Sequence, residues 1–236
     1  MKLSAILFDL DGTLLPMDND YFTEYYFTFL ARAAYDWGYH DRDALIAAIW
    51  KGVAAMVKND GSRSNAAAFW ERFREITGRS DPEDESRFNQ FYATEFNKAA
   101  AAAFPTPLAR EAVRIAREKA DHVILATNPI FPRSADETRL SWLGLSCRDF
   151  DLVTDYENCC FSKPNPEYYR QIIRDFRLDP ARCLMIGNDA DEDMLAASRA
   201  GLPVFLLTDH LINRQGREVD CPNGSYEDML ACLRRL

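Results

Sequence analysis

Ser4-Ala5-Ile6-Leu7-Phe8, followed at once by Asp9-Leu10-Asp11-Gly12-Thr13, is an apolar run that stops abruptly at two acids, a glycine and a hydroxyl. A short apolar run bounded by a turn signal reads as a strand. Its unbroken apolarity places that strand in a parallel sheet covered on both faces. Such a strand needs partners, and the next residues offer none. From about Tyr21 to Ala103, apolar side chains recur at helical spacing: Tyr21, Tyr25 and Phe29; Leu45, Ile49, Val53 and Met56; Phe69, Phe73 and Ile76; Phe88, Phe91, Tyr92 and Phe96. Gly38, Gly61, Gly78 and Pro82 separate these groups, which predicts about four helices and no strand. Asp81-Pro82-Glu83-Asp84 reads as a helix start capped by Asp81. The run Ala99–Ala103 reads as a continuing helix, ended by Phe104-Pro105-Thr106-Pro107.

Beyond Pro105 strands and helices alternate. A helix over 107–119 precedes the apolar run His122–Ala126, then a helix around 132–142 and a short segment Phe150–Thr154. A helix starting at Asn165-Pro166, a strand Cys183–Ile186, a helix 190–200 and a strand Pro203–Leu207 follow. Ser225-Tyr226-Glu227-Asp228 has the form of a capping box for a last helix. This pattern predicts an α/β fold: a doubly wound parallel sheet with helices on both faces. The first strand finds its neighbours only after residue 105. The helical block therefore reads as an insertion, residues 17–104, into a sheet domain made of 1–16 and 105–236.

The composition agrees with a globular chain and excludes several function classes. Of 236 residues, 28 are Lys or Arg and 37 Asp or Glu, a net charge of −9 that argues against nucleic acid or an acidic membrane surface as partner. No apolar run approaches the ~20 residues needed to span a bilayer, and the N-terminus reaches Asp9 too early for a signal peptide. The expected location is the cytoplasm. Six cysteines without a C-x-x-C pair, and three scattered histidines, predict reduced thiols and no zinc site.

Parallel sheets collect ligands at the carboxyl ends of their strands. Those positions hold Asp9 and Asp11, then Thr127 and Asn128, then Lys163-Pro164, then Gly187-Asn188-Asp189-Ala190-Asp191-Glu192-Asp193. Clustered carboxylates raise one another's pKa values unless a counter-charge enters. Oxygen donors without His or Cys suit Mg²⁺, and a cation beside a lysine and a threonine hydroxyl would receive a phosphoryl group.

In that order, Asp9-Leu10-Asp11-Gly12-Thr13-Leu14, Thr127, Lys163-Pro164 and Gly187-Asn188-Asp189 with Asp193 resemble the four motifs of the haloacid dehalogenase-like superfamily. The resemblance covers the whole sheet domain, and it implies a Rossmann-like core with an inserted all-helical cap of the C1 type. It further implies that Asp9 is a nucleophile forming an aspartyl-phosphate and Asp11 the acid–base group. Thr127, Asn128 and Gly12 would shape phosphate binding, and Lys163 would neutralise charge. Mg²⁺ would be held by Asp9, the Asp11 carbonyl and residues among Asn188, Asp189 and Asp193. Most relatives carry Asp directly after the glycine of the last motif; here that place is Asn188, so either Asn188 or Asp189 is the ligand.

The resulting expectation is a Mg²⁺-dependent phosphatase acting on a small phosphorylated metabolite. A phosphomutase, a metal-independent haloacid dehalogenase and a non-catalytic phosphoryl-binding module remain as alternatives. The intact Asp11 counts against the dehalogenase. In the helical block, Tyr21, Tyr25, Tyr26 and Trp50 are candidates to face the site, with Lys51, Lys58 and Arg63 as candidate anion contacts. Glu157 and Asn158 are further candidates, while Asp191 and Glu192 read as solvated acids in a helix's first turn.

Overall fold

The computed structural model describes residues 2–236. Six strands, all parallel, form one sheet in the order β3-β2-β1-β4-β5-β6: β1 (Leu3–Phe8), β2 (Ala120–Leu125), β3 (Leu152–Val153), β4 (Cys183–Gly187), β5 (Val204–Leu207) and β6 (Asn223–Gly224). β1 is central, with Phe8 in register with Leu125 on one side and Ile186 on the other. From β1 the chain builds outward to β3, then crosses back to lay β4, β5 and β6 on the opposite side. The crevice where strand order reverses lies between the carboxyl ends of β1 and β4, the place where open α/β sheets bind ligands.

Strand alternation explains the two-sided burial. Ile6, Phe8, Val123, Leu125 and Ile186 pack into one core. It also takes residues of α5 (Pro107–Lys119), α6 (Arg133–Trp142) and α9 (Tyr226–Arg235). Ala5, Leu7, Ile124, Cys183 and Met185 pack into another, with α7 (Pro166–Phe176) and α8 (Ala196–Arg199). The doubly wound α/β sheet is thus present, and both faces are covered by helices as the unbroken apolar strands require.

Between β1 and α5 stand only helices: α1 (Asn19–Tyr35), α2 (Arg42–Val57), α3 (Asn65–Thr77), α4 (Asp84–Ala93) and a 3₁₀ helix, Glu95–Ala102. The chain enters and leaves this block side by side. Met17 bridges Ala103 antiparallel, the Asp18 amide donates to the Ala102 carbonyl at 3.1 Å, and the Phe104 amide donates to the Pro16 carbonyl at 2.7 Å.

Several local readings hold. Thr106 caps α5 ahead of Pro107, Asn165 caps α7 ahead of Pro166, and Ser225 with Asp228 forms the expected capping box. Three need correction. α4 starts at Asp84, because Asp81 accepts the Glu83 amide and closes a turn rather than capping the helix. The alanine run ends a 3₁₀ helix separate from α4, because Thr94 leaves the helical region at φ −126°. Residues Ala190–Leu195 form a π-helical stretch rather than regular α-helix, and α8 is short. β6, two residues long, has no strand signature of its own.

Candidate active site

β1 delivers Asp9 to the crevice, and its amide continues the ladder by donating to the Ile186 carbonyl at 2.9 Å. The chain then turns tightly, the Leu15 amide donating to the Leu10 carbonyl at 2.8 Å and the Gly12 amide to the Leu15 carbonyl at 2.8 Å. Gly12 has φ +84°, and a Cβ there would collide with the Asn188 amide. A glycine is therefore required by both conformation and space. Thr13 is completely buried, its Oγ1 lying 3.1 Å from Asp9 Oδ2 and 3.1 Å from Asn188 Oδ1. One hydroxyl proton faces two acceptors, so one of them always lacks a donor.

Lys163 comes from the loop after β3, next to a cis Lys163-Pro164 bond. It is 1% exposed, and Nζ donates to Asp9 Oδ1 at 2.9 Å and Asp193 Oδ1 at 2.6 Å. Burial works against its charge, but attraction to Asp193 and Asp9 outweighs it and raises the lysine pKa well above the ordinary value. Burial also pushes the Asp193 carboxyl up. Asp193 Oδ2 accepts the amides of Asn188 and Asp189 at 3.1 and 3.0 Å. Both of its oxygens are thereby engaged, one with Lys163 and the other with the two amides. A Cβ at Gly187 would strike this carboxylate.

Asp11 stands at the same strand end. Its Oδ2 pairs with Arg139 Nη1, and Arg139 Nη2 pairs in turn with Asp136. Arg139 is fully buried, Asp136 is 1% exposed, and the guanidinium carbon sits 4.6 Å from the centre of the Phe131 ring. Burial raises the Asp11 and Asp136 pKa values despite the arginine. This clamp was not foreseen. In sequence, Asp136 and Arg139 look like an i,i+3 surface pair on a helix, and nothing in their spacing reveals that α6 turns them inward.

The remaining candidates are spread around the crevice. Thr127 is buried at the end of β2 and lines the cleft, together with Asn128, Asn188, Asp189, Glu192 and Asp193. Asn128 donates to Glu192 at 2.9 Å and accepts the Lys163 amide at 3.2 Å. Asn188 Nδ2 donates to the His210 carbonyl at 2.6 Å, which fixes its oxygen toward Thr13. Asp189 instead caps the π-helical turn, its Oδ1 accepting the Asp191 and Glu192 amides at 2.8 and 2.9 Å. Glu192 was expected in solvent but lies partly buried in the cleft, its pKa raised by that burial. Asp191 pairs with Arg217. Arg214, largely exposed, also lines the cleft and approaches Asp189 to 3.5 Å.

Of the helical-block candidates, Tyr26 and Trp50 line a cavity that reaches Asp11, whereas Tyr21 is exposed and bonds to Tyr25 instead. Lys51 and Lys58 are exposed, Arg63 pairs with Glu71, and none lines either space around Asp11. Glu157 accepts the Arg133 amide, Asn158 braces its own loop, and neither reaches the cleft.

No group of three or more His, Cys, Asp or Glu side chains converges to metal-holding distance among the described residues. The donor set nevertheless fits a hard cation. The cleft offers carboxylate and amide oxygens without His or Cys, Asp11 Oδ1 is buried with no hydrogen-bond partner, and the Thr13 hydroxyl leaves an acceptor unserved.

A model of the haloacid dehalogenase-like hydrolase family matches residues 3–201. A glyceraldehyde 3-phosphate phosphatase of Methanothermobacter thermautotrophicus is 31% identical over 71 residues, 30% of this chain and 31% of that protein. The chain spans about a third of the length of the curated relatives it matches. A 2-haloacid dehalogenase from Pseudomonas syringae superposes with a TM-score of 0.62 at 17% identity, covering 99% of both chains. A magnesium-bound hydrolase from Bacillus subtilis superposes with a TM-score of 0.60 at 17% identity, over 99% of this chain and 100% of that one. At such identities the superpositions speak for the fold alone.

Proposed function

Because the chain belongs to the haloacid dehalogenase-like hydrolase family, we propose that it is a Mg²⁺-dependent phosphatase hydrolysing a small-molecule phosphate monoester through an aspartyl-phosphate. The observation that carries this reading is the buried Lys163 ammonium held between Asp9 and Asp193, at 2.9 and 2.6 Å. With Oδ1 accepting from Lys163 and Oδ2 facing the Thr13 hydroxyl, the Asp9 carboxylate is fixed in orientation, as a nucleophile needs. An Asp9 oxygen attacks phosphorus, the ester P–O bond breaks, and the departing alkoxide takes a proton from Asp11. Water then attacks the phosphorus and gives a proton back to Asp11. The P–O bond to Asp9 breaks, phosphate leaves, and the carboxylate is restored. Acid–base assistance of this kind contributes ~10²–10⁴ in rate. The raised pKa of Asp11 favours the protonated form the first step uses.

Asp9, the Asp11 carbonyl and Asn188 would hold Mg²⁺, which when bound supplies positive charge at a phosphoryl oxygen. Asn188 is preferred over Asp189 because its oxygen and Asp9 converge on one Thr13 hydroxyl, while Asp189 is engaged as a helix cap. Thr127 and Asn128 border the phosphoryl site. The paired linkers at Met17 and Ala103 support a division into a core of 1–16 and 105–236 and a helical cap of 17–104. In this reading the reaction runs in the cytoplasm and on a small metabolite; no helix among the described residues is long and apolar enough to cross a membrane. The name of the Methanothermobacter relative supports phosphate-ester chemistry.

The test is turnover of an aryl phosphate with added Mg²⁺. Asp9→Asn should lower kcat by at least ~10³, and acid-quenched wild type should carry phosphate on Asp9. No Mg²⁺-dependent turnover across a broad ester panel overturns the phosphatase reading. Halide release from a haloacid without metal would favour the dehalogenase instead.

A further inference from the structure

We propose that the ester this site cleaves carries an apolar, ring-bearing alcohol, received in an aromatic chamber that opens onto Asp11; the inference rests on the phosphatase reading. The chamber has a volume of about 210 Å³. Its walls include Phe22, Tyr26, Phe69, Trp70, Tyr92 and Phe131, drawn from both the helical block and the loop after β2. Asp11, Asn19, Ile130, Phe131 and Arg214 line both this chamber and the phosphoryl cleft. The two spaces therefore meet at the group that would protonate the leaving oxygen, and what hangs from that oxygen enters the aromatic chamber.

Three features fix the chemistry of that occupant. Charge comes first: among the lining residues only Asp11 and Arg214 are charged, both at the side shared with the cleft. Hydrogen bonding is the second. Four polar tips of the aromatic walls pair with one another, the Tyr26 and Tyr92 hydroxyls at 2.7 Å and Trp70 Nε1 donating to Tyr156 at 3.2 Å. Thr23 is turned onto the Asn19 carbonyl at 2.7 Å. A polyol chain would enter with its hydroxyls stripped of water and unpaired. Size is the third. Native interiors leave few voids larger than a water molecule, and an apolar cavity of about 150 Å³ accepts benzene. The chamber therefore holds one ring with a linker or a small substituent.

The experiment compares benzyl phosphate with glycerol 3-phosphate, both esters of primary alcohols, so that leaving-group ease does not set the outcome. kcat/KM should favour the benzyl ester by about 10². Val53→Phe, which narrows the chamber wall, should cut that ratio by about tenfold. Binding of benzylphosphonate, which carries no ester to hydrolyse, is measured by calorimetry against methylphosphonate and should be at least about tenfold tighter. Equal or preferred turnover of the glycerol ester overturns the inference while leaving the phosphatase intact. Absence of all turnover with selective benzylphosphonate binding overturns the phosphatase and sustains the chamber. Absence of turnover with no binding preference overturns both.

Discussion

Replacing Arg139 by Met removes the only cation that Asp136 touches among the described residues. Asp136 is 1% exposed and Arg139 fully buried, so neither borrows solvation from water. Asp11, whose side chain is 26% exposed, recovers part of its hydration when the guanidinium goes. Most of the loss therefore falls on one buried carboxylate, and breaking a buried pair by removing one partner costs about 3–5 kcal/mol. For a chain of this length that is a fall in Tm of about 6–20 °C. The loss is limited by protonation, because burial already pushes the Asp136 pKa up to about 8 in the intact protein. A carboxyl whose folded pKa is raised contributes stability below its unfolded value of about 3.9 and loses it as pH climbs through the folded value. The penalty of Arg139→Met should accordingly be larger at pH 9 than at pH 5. Adding Asp136→Leu should return most of the stability, since apolar replacement of a whole buried pair is often neutral. Urea unfolding followed by tryptophan fluorescence at the two pH values, completed as a double-mutant cycle, measures all four states. A loss below ~1 kcal/mol in the single variant refutes the account, as does a double variant less stable than the single one.

Gly12→Ala forces a side chain into the positive-φ region and against the Asn188 amide. A loss of about 1–3 kcal/mol in thermal unfolding is expected, with reduced turnover because Thr13 and Asn188 shift together. Lys163→Met leaves Asp9 and Asp193 without their shared ammonium and should destabilise the fold by about 3–5 kcal/mol at neutral pH. Because the folded lysine pKa is raised, the stability it contributes is fully present below its unfolded value of about 10.4 and lost as pH rises through the folded value. Denaturation across pH 7–11 should show the gap between wild type and variant holding through the lower range and narrowing at the alkaline end.

The sheet was legible because its signal is local. Four successive apolar residues, Ala5 to Phe8, ending at Asp9 must be covered on both faces, and the alternation after Pro105 supplies the covering helices. Asp9, Asp11, Thr127, Lys163 and Asn188 were legible because strand ends converge in a parallel sheet, so placing the strands places the residues that follow them. What escaped depends on helix orientation. Whether Arg139 points to water or inward is set by how α6 docks against the sheet and by the Phe131 ring beneath it. Glu192 likewise reads as a first-turn acid, yet the π-helical turn that begins after Asp189 points it into the cleft. The aromatic repeat of the helical block carries two meanings that spacing cannot separate. Phe73 and Phe91 lie within the core alone, whereas Tyr26, Trp70 and Phe88 are both core and cavity wall.

The net charge of −9 bears on substrate capture in a way the cleft makes specific. Lys163 is already paired with Asp9 and Asp193, and Arg139 with Asp11 and Asp136, so neither brings uncommitted positive charge to an arriving phosphate. Arg214, exposed and shared between cleft and chamber, also faces a carboxylate, Asp189 at 3.5 Å. A unit charge held about 4 Å from a like charge is opposed by roughly 4 kcal/mol at a protein surface. A phosphate dianion beside the Asp9 carboxylate therefore needs a neutralising cation before it can bind. The proposed division of labour follows: charge compensation at the strand ends admits the phosphoryl group, and apolar burial in the chamber retains the alcohol without adding to the electrostatic cost.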